Sequence, residues 1–133
     1  MAVKIVIDAC VWVRYARSKN LTPLVDRFIA YDMLPVINNY LLSEIFEALL
    51  ENGWATEKQA ALFTEYVKYQ SLFVTENVVY RLSPDPKDSY LFDIAIQKNC
   101  HFIITDDTEL LGFKVKPVGI HSANWFLKNF PLV

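Results

Sequence analysis

Short continuous apolar runs alternate along this chain with segments whose apolar residues recur at the helical period. Residues 3–7, 34–37 and 102–105 are runs of the first kind and predict strands. The first and last are rich in β-branched residues with no polar alternation, the pattern of a strand covered on both faces in a parallel sheet. Residues 71–75 predict a further short strand, and a last one falls near 115–120. Helices are predicted over 11–17 and over 21–30, where Pro23 occupies the first turn and its missing N–H costs nothing. The helix over 40–50 has the widest apolar face, made by Leu41, Leu42, Ile45, Phe46, Leu49 and Leu50, and stops at Asn52-Gly53. Thr56 with Gln59 forms a capping box that opens a helix to about Tyr69, so 40–69 reads as a helical hairpin. Ser83-Pro84-Asp85-Pro86 is a turn that starts a helix reaching about Lys98, with Asp85 as cap and Pro86 in the first helical position. A short turn through Leu110-Leu111-Gly112 and a helix from Ser122 complete the chain. Strands alternating with helices predict an α/β fold with a parallel sheet, as one domain over residues 1–133.

Two of these strands end on aspartate. Asp8 closes the first, and Asp106-Asp107 follow the run that begins at Phe102. Parallel sheets bind ligands at the carboxyl ends of their strands, so the two carboxylates are expected to converge on one crevice. Clustered carboxylates hold a hard cation such as magnesium or keep a proton, which points to metal-dependent chemistry.

Composition changes this picture little. Hydrophobic residues make up 53% of the 133 residues, yet no apolar run is long enough to span a bilayer and no secretory leader precedes Ile5. A soluble protein kept in the cytoplasm is expected, with Cys10 and Cys100 as free buried thiols and no disulfide. The net charge of −2 argues at first against nucleic acid. With four of the 15 acidic residues in a metal site, however, the remaining acids no longer outnumber the 13 Lys and Arg.

Each acidic candidate has an ordinary structural reading as well. Asp8 can be a helix N-cap, and Asp-Asp-Thr-Glu is common turn chemistry. Glu44 shares a polar stripe with Glu47 and Glu51 but sits at its edge, beside Leu41 and Ala48. Asp88 can do no more than dress a helix N-terminus. Asp93 lies five residues further, about 140° around an ideal helix, so the two do not share a face.

Strand-Asp8, the helix Ser43-Glu44-Ile45-Phe46-Glu47-Ala48-Leu49-Leu50, the segment from Asp85-Pro86-Lys87-Asp88 to Asp93-Ile94-Ala95, and Ile103-Ile104-Thr105-Asp106-Asp107-Thr108-Glu109-Leu110-Leu111 resemble the PIN domain. The resemblance runs from Lys4 to about Phe126 and is strongest to the branch of toxin components related to VapC. It implies a three-layer α/β/α domain with a mainly parallel sheet of about four to five strands. It also implies a magnesium- or manganese-dependent endoribonuclease, the toxin of a toxin–antitoxin pair, leaving a 5′ phosphate and a 3′ hydroxyl. The acidic set carried over is Asp8, Glu44, Asp88 and Asp107, as catalytic residues and metal ligands, with Thr105 as a helper and Asp93 as a secondary candidate. An RNA substrate, an antitoxin and a homodimer are the partners it implies. The family commonly follows its first Asp with Thr and Asn; Ala9 and Cys10 here lose two polar groups around the metal site.

Other chemistries fit less well. His101 and His121 lack zinc-ligand spacing, no histidine is fixed near Cys10, and three glycines leave no phosphate loop. Arg14, Arg17 and Lys19 are candidates for substrate contact, with Lys87 and Lys114 or Lys116 as further options. Tyr40, Tyr90 and Trp12 are candidates for base stacking, although aromatics at these spacings more often belong to the core. A DNA nuclease on the same site and a non-catalytic binding module are the competing readings.

Overall fold

The computed structural model describes residues 2–75, 89–113 and 118–132. Five parallel strands, β1 (Val3–Ile7), β2 (Met33–Ile37), β3 (Leu72–Phe73), β4 (Phe102–Ile104) and β5 (Gly119–His121), form one sheet in the order β3-β2-β1-β4-β5. The helices described are α1 (Ala9–Arg17), α2 (Thr22–Ala30), α3 (Asn39–Leu50), α4 (Glu57–Tyr69), α5 (Ser89–Gln97), α6 (Thr108–Leu111) and α7 (Ala123–Asn129). Helices and sheet form a three-layer α/β fold.

The central strands are buried because helices cover both faces of the sheet. Ile5, Val6, Ile7, Ile103 and Ile104 are no more than 1% exposed, which accounts for their unbroken apolar pattern. Ile5 lies level with Pro35 on one side and Phe102 on the other. Pro35 is tolerated inside the sheet because β3 pairs only with Val36 and Ile37, which leaves proline flanked by a strand on one side alone. On α3 the fully buried positions are Leu41, Ile45 and Leu49, while Leu42, Phe46 and Leu50 are half-buried. The apolar face is thus narrower in its core contact than the pattern suggests.

Capping sets the helix ends. Thr56 Oγ1 accepts the Gln59 N–H at 3.1 Å and Gln59 Oε1 accepts the Thr56 N–H at 2.9 Å, the reciprocal box expected for α4. Between α3 and α4 a tight turn over Glu51–Gly53 ends on Gly53 at φ +66°, a left-handed conformation that glycine adopts without penalty. Several predicted bounds shift. β2 starts one residue earlier, β3 shrinks to two residues, and β4 ends at Ile104 so that Thr105 stands just beyond it. The expected turn at 110–112 belongs to the one-turn helix α6, which Asp107 caps. Of the strand expected near 115–120, the described part is Gly119–His121, since residues 114–117 lie outside the described residues, as does the turn at Asp85-Pro86.

The topology places the site. From β1 the chain winds outward through β2 and β3, then returns to lay β4 on the opposite side of β1. The winding reverses between β1 and β4, and a crevice opens at the carboxyl ends of strands flanking such a reversal. Among the described residues, no helix is long and apolar enough to cross a membrane.

Candidate metal centre

Asp8 leaves the end of β1 and caps α1, the ordinary structural role open to it in the sequence. Its Oδ1 accepts the Ala9 N–H at 2.7 Å. Its Oδ2 turns toward β4 and accepts the Thr105 hydroxyl at 2.7 Å. Thr105 is fully buried, and the same Oγ1 accepts the Asp107 N–H at 3.0 Å. One hydroxyl therefore ties the end of β1 to the turn after β4. Asp107 caps α6, its Oδ1 accepting the Glu109 N–H at 2.9 Å.

Burial raises the Asp8 carboxyl above its ordinary value of 3.8, and the charge of Asp107 adds to the rise. Hydrogen bonds from Thr105, Cys10 and Ala9 pull the other way and are outweighed by desolvation. The Cys10 sulfur lies 3.5 Å from Asp8 Oδ2 and 3.8 Å from Thr105 Oγ1. Burial, then the charge of Asp8, pushes its thiol up to about 11, so it is protonated and donates to the carboxylate. This corrects two expectations. Cys10 is an exposed residue whose sulfur turns inward, not a buried one, and it restores one of the polar groups that Ala9 and Cys10 were expected to lose. Its place two residues after a capping Asp was the signal available in the sequence. Cys100 is free and buried, as expected.

Asp106 points elsewhere. Its Oδ2 accepts from Arg14 Nη1 at 3.0 Å and its Oδ1 accepts the Ala123 N–H at 3.1 Å, so it latches α1 and α7 to the end of β4. Glu44 is exposed on α3, and Asp93 is buried on α5. Asp88, Lys87, Lys114 and Lys116 lie outside the described residues. The structure brings together Asp8, Thr105 and Asp107; among the described residues no group of three or more His, Cys, Asp or Glu gathers around one point where an ion could sit. The donors of the crevice are hard oxygens, which fit magnesium or manganese, and magnesium is commonly held by one or two carboxylates while keeping several waters.

The basic candidates divide. Arg14 is engaged with Asp106 near the crevice. Arg17 donates to the Ala48 carbonyl at 3.2 Å and lies over the Trp54 ring, while Lys19 follows the end of α1 at φ +56°. The nine residues of α1 carry these two about 13 Å from Asp8. Trp12 is fully buried against Phe28 and is not available to stack on a base. His121 stacks on Trp125 with ring centroids 3.6 Å apart.

Comparison with known proteins gives a consistent result. The chain is similar over 98% of its length to PAE2754 from Pyrobaculum aerophilum, covering 90% of that chain at 20% identity with a TM-score of 0.69. It is also similar to Mycobacterium tuberculosis VapC20, a sarcin-ricin loop cleaving toxin. That likeness covers 85% of this chain and 99% of VapC20, at 17% identity and a TM-score of 0.55. Both likenesses show a shared fold. No curated protein matches the chain significantly. The sequence of residues 4–109 matches that of the PIN domain. With most of its length matched and two aspartates following the strands on either side of the winding reversal, the chain belongs to the PIN domain family.

Proposed function

We infer that this chain is a magnesium- or manganese-dependent endoribonuclease and the toxin of a toxin–antitoxin pair. PIN domains are generally nucleases, and the observation that carries the finer reading is the buried Asp8 joined through Thr105 to Asp107 where the winding reverses. The toxin reading draws further on the likeness to VapC20, itself a sarcin-ricin loop cleaving toxin.

Hydrolysis of a phosphodiester needs an activated water and positive charge near the phosphate oxygens. A divalent ion held at these carboxylates supplies both when bound. The chain's own residues prepare the place. Ala9 N–H and the Thr105 hydroxyl hold the two oxygens of Asp8 in a fixed orientation, so no rotamer freedom is lost when the site fills. Thr105 spends its proton on Asp8 and its lone pair on the Asp107 amide, which fixes the Asp107 backbone relative to the Asp8 carboxylate. The Cys10 thiol adds a weak third donor to Asp8. Burial raises the Asp8 carboxyl, so filling the site competes with its protonation. Glu44 and Asp88 complete the proposed acidic set, Glu44 from the exposed side of α3. An antitoxin segment that lays an Arg over the crevice would satisfy the same carboxylates.

The purified protein should cleave single-stranded or structured RNA with magnesium, lose that activity in EDTA and regain it with manganese. Undiminished cleavage in EDTA would overturn the metal-dependent reading, and cleavage of DNA in preference to RNA would overturn the substrate.

A further inference from the structure

The rim of the crevice carries a pair of aromatic rings that the acidic site does not use. Tyr40 and Tyr90 lie with ring centroids 6.2 Å apart and planes 24° from parallel, an offset stack. Tyr40 is 63% exposed while Tyr90 is half-buried, so the stack presents one open ring. Exposed aromatic rings also occur at Tyr66 and Tyr69 on α4, but Tyr40 differs in its backing ring and in its place. It sits in the first turn of α3, directly after the carboxyl end of β2, and Tyr90 sits in the first turn of α5, which leads into β4. Both first turns therefore lie at the sheet end that carries Asp8 and Asp107.

The mounting is rigid. Asn38, itself buried, caps α3 by accepting the Leu41 N–H at 3.0 Å, which fixes the turn from which Tyr40 projects. Continuing the pairing of Ile5 with Pro35 brings Asn38 level with Asp8 on the adjacent strand, and Tyr40 is two residues further on. At a strand spacing of about 4.8 Å, its backbone stands within about 10 Å of Asp8. A strand of RNA whose phosphate reaches the carboxylates passes this ring, and an open aromatic face accepts any nucleobase.

We propose that the Tyr40–Tyr90 stack is a base platform on which a nucleobase flanking the scissile phosphate of single-stranded RNA stacks against the outer face of Tyr40. This rests on the ribonuclease reading, and it adds a positioning element with little sequence preference. The test is the affinity of a short fluorescently labelled single-stranded RNA for the intact protein in EDTA, where it stays uncut. Tyr40→Ala should weaken binding about tenfold, within the range for loss of one base stack, and Tyr40→Phe should bind like the parent. Repeating the titration with strands lacking one base at each position in turn should reveal a position at which parent and Tyr40→Ala bind equally, a readout that a purely structural role would not move. If the parent binds RNA and Tyr40→Ala binds as tightly, the platform is wrong while the ribonuclease reading stands. Failure of the parent to bind any single-stranded RNA overturns both.

Discussion

The two ends of β4 divide the labour of this domain. At the amino end, Phe102 packs its ring against His121, Trp125, Phe126 and Phe130 at centroid distances of 5.5 to 6.3 Å. Three residues later, Thr105 spends its hydroxyl between two acidic residues. The aromatic end gains from burial and edge-to-face packing. The carboxyl end holds a buried carboxylate that desolvation penalises and only hydrogen bonds make tolerable. One region supplies stability and the other consumes it to hold a carboxylate in place.

That contrast breaks first through charge. Asp8→Asn and Asp107→Asn keep the shape of the crevice, and each should lower RNA cleavage by about two to four orders of magnitude at saturating magnesium. Asp106→Asn, which touches Arg14 and the Ala123 amide, should do much less. Comparable losses at 106 and 107 would mean that the assignment of roles to these neighbours is wrong.

The aromatic end should break through volume instead. Phe126 is fully buried, and Phe126→Ala should cost roughly 3–5 kcal/mol in chemical denaturation, with activity per folded molecule preserved. Thr105→Val separates the two effects within the crevice. It keeps the volume but removes the donor to Asp8 and the acceptor for the Asp107 amide, so it should cost roughly 1–3 kcal/mol and weaken metal binding as well. Arg14→Ala removes a surface ion pair and should change stability by no more than about 1 kcal/mol.

The raised Asp8 carboxyl gives a pH signature with a definite sign. The folded metal-free state holds this proton more tightly than the unfolded chain does. The stabilisation is therefore complete below the ordinary value near 3.8 and is lost as pH rises through the folded-state value. Urea denaturation in EDTA should show stability falling with pH across that interval for the parent, and the fall should be smaller for Asp8→Asn. Magnesium, which binds the deprotonated form, should raise the melting temperature of the parent more than that of the variant, and increasingly so at higher pH. Equal magnesium shifts in both would count against Asp8 as a ligand.

The sequence carried the local part of this arrangement well. The continuous apolar run before Asp8, the capping box at Thr56 and Gln59, and the alternation of strands with helices are all short-range signals, and each has its counterpart in the fold. What escaped it joins residues far apart in the chain. The Arg14–Asp106 pair and the Asp106 cap on Ala123 separate Asp106 from Asp107 by their partners, which turn propensity alone cannot do. The strand order, which sets Asp8 beside Thr105, is likewise a property of the whole winding. The place of Trp12 was open for a similar reason, since an aromatic residue in a first helical turn faces the core or the rim according to how the helix docks, and here it faces the core.

The central claim is that Asp8 and Asp107 hold one divalent ion at the reversal between β1 and β4. Anomalous diffraction from crystals soaked in manganese tests it most directly. A peak within about 2.5 Å of carboxylate oxygens from both residues, absent from Asp8→Asn crystals soaked in the same way, is the result expected. No peak in the crevice at a manganese concentration that supports cleavage, or a peak on other residues, would contradict the account.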